Sequence, residues 1–254
     1  MKHRKLQKEE SMNKAKHSIK GYWDWRSKSY PKDSEKSPDV VQKWQSIINE
    51  LVADTTGRRA LDMGTGNGQL AMYLARAGFD VTGVDISEEM VTQAARNASI
   101  CNLKIDFKTG DAEHLDFEDN SFDVITARNL LWTLPNPAKA LNEWRRVLKP
   151  KGKLIVSDGL WMNATWKHLP RRIFSSYDIK GIFSSLRFFF AYSGIRKSMP
   201  FYEGICYESA NLLLKKAEFK NVVPYDTEKI NFRPYQNLGT LNNNPSFFIA
   251  HAEK

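Results

Sequence analysis

Short apolar runs alternate along the middle of the chain with stretches whose apolar residues recur at helical spacing. Strands are predicted in RRALDM (58–63), DVTGVD (80–85), LKIDFKTGD (103–111), SFDVITARN (121–129) and GKLIVSD (152–158). Helices are predicted over residues 67–77, from Ser87 onward, and over 137–150, where Pro150 ends the third. Strands that alternate with helices of this length predict an α/β fold with a parallel, doubly wound sheet.

The two ends of the chain depart from this alternation. Residues 38–54 carry apolar side chains at helical spacing, and residues 1–20 are polar and are interpreted as helical or frayed. A helix is predicted over 207–219, and the segments 222–232 and 245–254 predict an antiparallel edge pair joined by the Asn-rich residues 237–244. Residues 1–54 and 159–203 are interpreted as covers over a body formed by the rest.

Composition narrows the class of protein. No window reaches the roughly 18 apolar residues of a membrane span, and the basic N-terminus lacks the apolar stretch of a secretory signal. Cys101 and Cys206 lie far apart with no CxxC or Cys/His cluster near either, so we predict no metal site and a cytoplasmic location.

The net charge of +9 is concentrated in two segments. Residues 1–30 and 166–200 each carry a net charge of +6, which leaves the remainder mildly acidic. The pattern fits solvated lysines on surface helices, and it also fits a surface that meets an anionic partner.

Three glycines, Gly64, Gly66 and Gly68, follow the first predicted strand, and Asp62 precedes them. A glycine-rich turn between a strand and a helix normally holds a phosphate, but a carboxylate at its mouth would repel one. The Asp62 carboxylate would instead accept hydrogen bonds from an ammonium group. A phosphate-free ligand with an amino-acid end and a nucleoside end, such as S-adenosylmethionine, fits this loop.

Two further acids end the next two predicted strands. Asp85 follows Gly64 by 21 residues, at a position where a carboxylate can accept from both hydroxyls of a ribose. Asp111, beside the Ala112 amide, can accept a hydrogen bond from the exocyclic amine of adenine. Any one of these acids could instead be a helix cap or a loop residue.

The motifs ALDMGTGNG, VTGVDIS, TGDAEHLDFEDNSFDVI and EWRRVLKPKGKLIVSD resemble those of class I S-adenosylmethionine-dependent methyltransferases, closest to the type 11, ubiquinone/menaquinone methyltransferase-like group. The resemblance covers roughly residues 55–158. It implies a Rossmann-like, seven-stranded doubly wound sheet with an antiparallel last strand, plus N-terminal and post-strand-5 helical covers. The implied domains are an N-terminal helical arm over 1–54 and a cofactor-binding domain over 55–254, with 159–203 as an insertion that caps the acceptor.

The resemblance also assigns residues to the cofactor. GYWDWRSKSY (21–30) is similar to a segment that folds over the methionine end, with Tyr22, Trp25 and Tyr30 as candidate contacts, and Arg128 is a candidate partner of the cofactor carboxylate or of a structural salt bridge. The predicted cofactor-binding set is Asp62, Gly64, Thr65, Gly66, Gly68, Asp85, Ile86, Asp111, Ala112, Arg128, Tyr22 and Tyr30.

The expected function is methyl transfer from S-adenosylmethionine to a small-molecule acceptor, anionic, aromatic or amphipathic, with peripheral membrane contact as a hypothesis. Sequence signatures for methylation of nucleic-acid bases are absent, since the matching site reads ARNLLWTLPNP. The alternatives are an RNA-directed methyltransferase, an NAD-dependent oxidoreductase and a cofactor-binding scaffold without turnover. No catalytic residue is assigned; the candidates for a general base are His114, Asp158, His168 and Tyr202.

Overall fold

The computed structural model describes residues 2–30, 38–160, 186–187, 190–229, 232 and 247–254. Seven strands form one sheet in the order β3-β2-β1-β4-β5-β7-β6. The first five strands are parallel, and β7 runs antiparallel between β5 and β6. The strands are β1 (Arg59–Met63), β2 (Asp80–Asp85), β3 (Asp106–Thr109), β4 (Phe122–Arg128), β5 (Leu148–Gly159), β6 (Lys220–Pro224) and β7 (Phe247–Glu253).

Helices cover both faces of this Rossmann-like sheet. They are α1 (Lys2–Ser27), α2 (Pro38–Val52), α3 (Gln69–Arg76), α4 (Glu88–Ile100), α5 (Pro137–Val147) and α6 (Tyr207–Lys216). Two of them begin at side-chain caps: the Ser87 hydroxyl accepts from the Met90 amide at 3.1 Å, and Asn136 accepts from the Lys139 amide at 3.1 Å. Such caps satisfy amides that the first turn of a helix leaves without a partner.

Successive side chains of a β-strand point to opposite faces of the sheet, and in this protein each face has its own hydrophobic core. Ile125 and Ala127 pack with α1, α5 and α6, whereas Val124 packs on the opposite face with α2 and α3. Both helices of the segment predicted as an arm, α1 and α2, therefore contribute to the cores. In the described ranges, no helix combines the length and the apolar content needed to cross a bilayer.

The predicted fold class is confirmed, and several element boundaries are corrected. Helix α5 ends at Val147 rather than Pro150, because the chain then pairs with β4 from Leu148 onward. Strand β5 is accordingly longer than predicted, while β3 and β6 are shorter. Helix α1 continues to Ser27, so most of residues 21–30 is helical. The predicted Asn-rich connection 237–244 and most of 159–203 lie outside the described residues.

Candidate functional site

A cleft opens at the carboxyl ends of β1 to β4 and is covered by α1. The space between its walls is about 750 Å³, including the open mouth. Its polar lining consists of Lys16, Tyr30, Asp85, Asp111, Arg128, Asn129 and Thr133, together with the backbone of Gly64, Gly66 and Gly110. Apolar residues complete it: Ile19, Trp23, Met63, Val84, Ile86, Met90, Ala112, Leu130, Leu134 and Pro135.

The glycine loop folds back onto the end of β2. The Gly66 amide donates to Asp85 Oδ2 at 2.8 Å, and the Thr65 amide donates to the Val84 carbonyl at 3.0 Å. Gly64, Gly66 and Gly68 all have positive φ. The backbone conformation therefore favours glycine, and at Gly64 a Cβ atom would also lie 2.8 Å from a methyl of Leu130, which would have to shift.

Asp85 is buried beneath this loop and still lines the cleft. Its Oδ1 accepts from the Ser87 amide at 2.9 Å. Burial raises the pKa of Asp85 to about 6, and the nearby charges of Asp62 and Asp24 act in the same direction. The two backbone hydrogen bonds from Gly66 and Ser87 oppose this shift because they favour the carboxylate.

Asp62 lies deeper, and the residue as a whole is 2% exposed. Its Oδ2 accepts from the Thr65 hydroxyl at 2.7 Å and from the Ala71 amide at 3.1 Å, and its Oδ1 accepts from the Thr126 hydroxyl at 2.7 Å. Burial raises its pKa, although these hydrogen bonds and the charge of Arg128 lower it in part. Asp62 therefore joins β1, the glycine loop, α3 and β4.

A small cavity adjoins the cleft beside Asp62. It is lined by Tyr30, Asp62, Gly64, Thr65, Gly66, Asn67, Leu70 and Arg128. The Arg128 guanidinium lies 5.3 Å from the ring centre of Trp44 and donates to the Gln69 side chain. The cavity thus brings one carboxylate and one guanidinium together, a charge pair that suits the ammonium and carboxylate of an amino acid.

At the end of β3, Asp111 meets a cation that the sequence did not indicate. Lys16 Nζ lies 2.7 Å from Asp111 Oδ2 and 2.6 Å from Glu113 Oε2. Burial alone would lower the pKa of Lys16, but its hydrogen bonds to both acids raise it above the usual value. The predicted adenine acid is therefore already ion-paired to α1.

The aromatic residues near the end of α1 take different positions. Trp23 and Tyr30 line the cleft, whereas Tyr22 is 7% exposed and packs edge-on against Tyr192, with ring centres 5.4 Å apart. Burial raises the pKa of Tyr22 to about 12. Trp25 packs beside Tyr22 with ring centres 5.9 Å apart. Of these rings, Tyr22 and Trp25 are not among the residues that line the cleft.

The four candidate bases occupy unlike surroundings. Asp158, the penultimate residue of β5, is fully buried. It accepts from the backbone amides of Trp132 at 3.3 Å and of Gly159 at 2.8 Å. His114 is exposed, and Tyr202 is half-buried. His168 lies outside the described residues. No assignment of a base follows from these positions.

Most of the predicted cofactor set converges on the cleft or its side cavity. Gly68 lines neither, since it lies below the loop against α4 and β3. The residues that the sequence did not single out are mainly apolar, with Leu130, Leu134 and Met90 as examples. Their spacing is that of ordinary helix and loop residues, so no sequence signal separates them from core positions.

Residues 61–156 match the family model described as "Methyltransferase domain". The chain is 38% identical over 118 residues to the demethylmenaquinone methyltransferase of Renibacterium salmoninarum, which covers 46% of this chain and 48% of that protein. It is 35% identical over 124 residues to a ubiquinone/menaquinone biosynthesis C-methyltransferase of Roseobacter denitrificans, which covers 47% of this chain and 50% of that protein. The chain thus spans about half the length of these relatives.

Solved structures extend the likeness of the fold to most of the chain. A SAM-dependent methyltransferase from Aquifex aeolicus superimposes with a TM-score of 0.56 at 20% identity, covering 85% of this chain and 93% of that one. The match to the family model lies on the strands and loops that form the cleft floor, from β1 to β5. Residues 61–156 are therefore similar to the methyltransferase domain family, and they hold most of the residues that line the cleft floor.

Proposed function

We propose that this protein is an S-adenosylmethionine-dependent methyltransferase that acts on a small-molecule acceptor. The observation that carries the proposal is the order of charges along the cleft. A carboxylate and a guanidinium flank the side cavity, a second carboxylate ends β2, and a third follows β3 by two residues. That order matches an amino acid, a ribose and an adenine, without a phosphate between them.

Each end of the cofactor has a chemically suited partner in this proposal. Arg128 holds the carboxylate of the amino-acid end, and Asp62 faces its ammonium through the side cavity. Asp85 accepts from the ribose hydroxyls, and Asp111 accepts from the exocyclic amine of adenine. Because Asp62 already accepts three hydrogen bonds from the protein, we assign it chiefly an electrostatic and structural role.

When bound, S-adenosylmethionine supplies a methyl group on a sulfonium that needs no further activation. The protein's contribution is then to orient the acceptor and exclude water, which accounts for much of the acceleration in reactions of this kind. The apolar wall formed by Ile19, Trp23, Leu130 and Leu134 is suited to both tasks. A base is needed only where the acceptor is a hydroxyl or a carbon acid.

The acceptor is proposed to be amphipathic and to be met at a membrane surface from the cytoplasm. The relatives named above carry quinone-pathway names, which supports an apolar ring acceptor. Phe190 is 72% exposed, and Arg187, three residues before it in the chain, lies 4.8 Å from the ring centre of Trp25 on α1. An exposed apolar and cationic group next to the covering helix suits anionic lipid.

Cys101 and Cys206 are free thiols, which supports a reducing compartment.

Thermal-shift titration tests the cofactor. S-adenosylmethionine and S-adenosylhomocysteine are expected to raise the melting midpoint, since a ligand at one hundred times its Kd stabilises by about 2.7 kcal/mol. NAD is expected to leave the midpoint unchanged. Asp85→Asn should remove most of the shift, whereas Asp80→Asn, at the exposed start of the same strand, should retain it.

A shift with NAD, or none with either adenosyl compound, would contradict the proposal. A shift with both adenosyl compounds, but no methyl transfer to any extracted quinol or phenol, would instead favour the scaffold alternative. The RNA-directed alternative predicts salt-dependent RNA binding and RNA methylation, which we do not expect.

A further inference from the structure

Lys16 is the point at which α1 reaches into the cleft. Its side chain is 18% exposed, and its ammonium bridges the carboxylates of Asp111 and Glu113. Those two acids differ in their surroundings, because the Asp111 side chain is 35% exposed and that of Glu113 is 0% exposed. Among the described residues, the cation that forms an ion pair with Asp111 and with Glu113 is Lys16 in both cases.

The acids are otherwise fixed by backbone amides. Glu113 Oε1 accepts from the Asn136 amide at 2.6 Å, and Asp111 Oδ1 accepts from the Glu113 amide at 2.9 Å. Glu113 is therefore fixed to the start of α5. The Lys16 ammonium connects Glu113 Oε2 to Asp111 Oδ2. The orientation of the Asp111 carboxylate is thus set by two donors, the Glu113 amide at Oδ1 and Lys16 at Oδ2.

A second polar link joins α1 to the cleft. Asp24 Oδ1 accepts from the Ser87 hydroxyl at 2.7 Å, and the Ser87 amide donates to Asp85. The first link thus ends on Asp111 itself, and the second ends on Ser87, one hydrogen bond away from Asp85. Helix α1 therefore contacts residues at the proposed binding site for the nucleoside part of the cofactor.

We propose that Lys16 is a positioning residue: by pairing with Asp111 and Glu113 it aims the Asp111 carboxylate at the 6-amino group of the cofactor's purine. The inference rests on the proposed function and adds to it a source of selectivity for that amino group. One lone pair of Asp111 Oδ2 is engaged by Lys16, which leaves the outward lone pair for the ligand. Without Lys16, Asp111 Oδ2 loses its partner, and the Asp111 carboxylate, which the Glu113 amide holds at Oδ1 only, faces the uncompensated charge of Glu113.

The test compares two ligands, S-adenosylhomocysteine and its analogue whose purine lacks the 6-amino group. The wild-type protein should bind the first about tenfold more tightly, the value of one hydrogen bond to a charged group. In Lys16→Ala this ratio should fall towards one, because only the first ligand loses an interaction. Lys16→Arg should restore most of the ratio, since it retains the charge and the donors.

Lys14→Ala is the matched control, because Lys14 lies on the exposed side of the same helix. The double variant Lys16→Met/Glu113→Gln removes the buried carboxylate's charge together with its partner, so it keeps the fold while releasing Asp111. Its ratio should also fall towards one. Isothermal calorimetry measures both affinities, and circular dichroism verifies folding.

A folded double variant with the wild-type ratio would overturn the role of Lys16 and leave the proposed function intact. Failure of the wild-type protein to bind S-adenosylhomocysteine at all would overturn the proposed function itself. Wild-type binding without preference for the amino group would overturn the role of Asp111, and the present inference with it.

Discussion

The Asp85 carboxylate is buried where the fold favours its neutral form and the proposed ligand favours its charged form. Its folded pKa of about 6 lies above the ordinary value of 3.8, so the folded protein binds a proton that the unfolded chain has already released. The resulting stabilisation is fully present below pH 3.8 and is lost as the pH rises through about 6. At neutral pH the buried charge therefore lowers the free energy of unfolding.

This sign predicts a pH-dependent effect of Asp85→Asn on stability. Asparagine resembles the protonated acid and carries no charge at any pH. The variant's free energy of unfolding, relative to wild type, should therefore increase by on the order of 2 kcal/mol between pH 4.5 and pH 7.5. Urea denaturation of the ligand-free proteins at the two pH values measures it.

Asp80→Asn serves as the control, because Asp80 lies exposed at the other end of β2 and should show no such trend. Equal effects of Asp85→Asn at both pH values would show that the burial of this charge costs the fold nothing. The variant is expected to bind the cofactor poorly even where it is more stable, which separates function from folding at this residue.

Asp62 is a residue whose contacts could be predicted only in part from its position in the sequence. The acid before the glycine loop indicated a ligand contact, but its oxygens accept from a strand, a loop and a helix of the protein itself. Those partners come from residues three to sixty-four positions away. A sequence pattern predicts the residue type at this position but not how many internal hydrogen bonds it makes.

At the scale of elements, Ser87 connects α4 to α1, two helices that are far apart along the chain. Its hydroxyl caps α4 and donates to Asp24 of α1. Loss of a cap alone costs about 1 kcal/mol. Ser87→Ala should therefore reduce stability by at least this amount and also loosen α1.

Hydrogen exchange checks this prediction. Amides of α1 should exchange faster in Ser87→Ala than in wild type, because the helix loses one of its two polar links to the cleft. Asn136→Ala removes a comparable side-chain cap from α5 but retains the backbone amide that donates to Glu113, so it should leave α1 exchange unchanged. Protection of α1 that is equal in all three proteins would rule out this coupling.

The strands and most helices were predictable because their apolar residues follow a regular period. Helix α1 was only partly predictable. Its core residues Ala15, Ile19 and Tyr22 do recur at helical spacing, but many charged positions surround them and dilute the signal. The end of α5 was misplaced because helix propensity continued to Pro150, whereas pairing of Leu148 with β4 decided the boundary.

At the scale of the molecule, the convergence of Asp62, Asp85 and Asp111 followed from topology. Parallel neighbours β1, β2 and β3 bring their carboxyl ends to one edge, where ligands of such sheets bind. The position of Lys16 was not predictable, because it depends on where α1 docks. The docking of a covering helix is set by tertiary contacts rather than by its own pattern.

The uneven charge of the whole chain leads to a test of membrane contact. Vesicles that contain anionic phospholipid should retain the protein at low salt, and zwitterionic vesicles should not. Phe190→Ser should weaken retention, because it removes an exposed apolar side chain from the segment that also carries Arg187. Ile100→Ser, which removes an equally exposed side chain from α4, should not.

Retention that does not depend on lipid charge, or that is reduced equally by both substitutions, would refute the proposed surface. Retention lost on raising the salt concentration would agree with attraction between the basic segments and lipid headgroups.

The position of β7 inside the sheet bears on how the chain folds while it is being synthesised. Strand β6 leaves the ribosome before β7, yet among the described strands it pairs with β7 alone. Until residues 247–253 emerge, β5 presents an open edge and β6 has no strand to join. A ribosome stalled shortly before this point would therefore carry a nascent chain with the cleft acids already in place and one side of the sheet still exposed to aggregation.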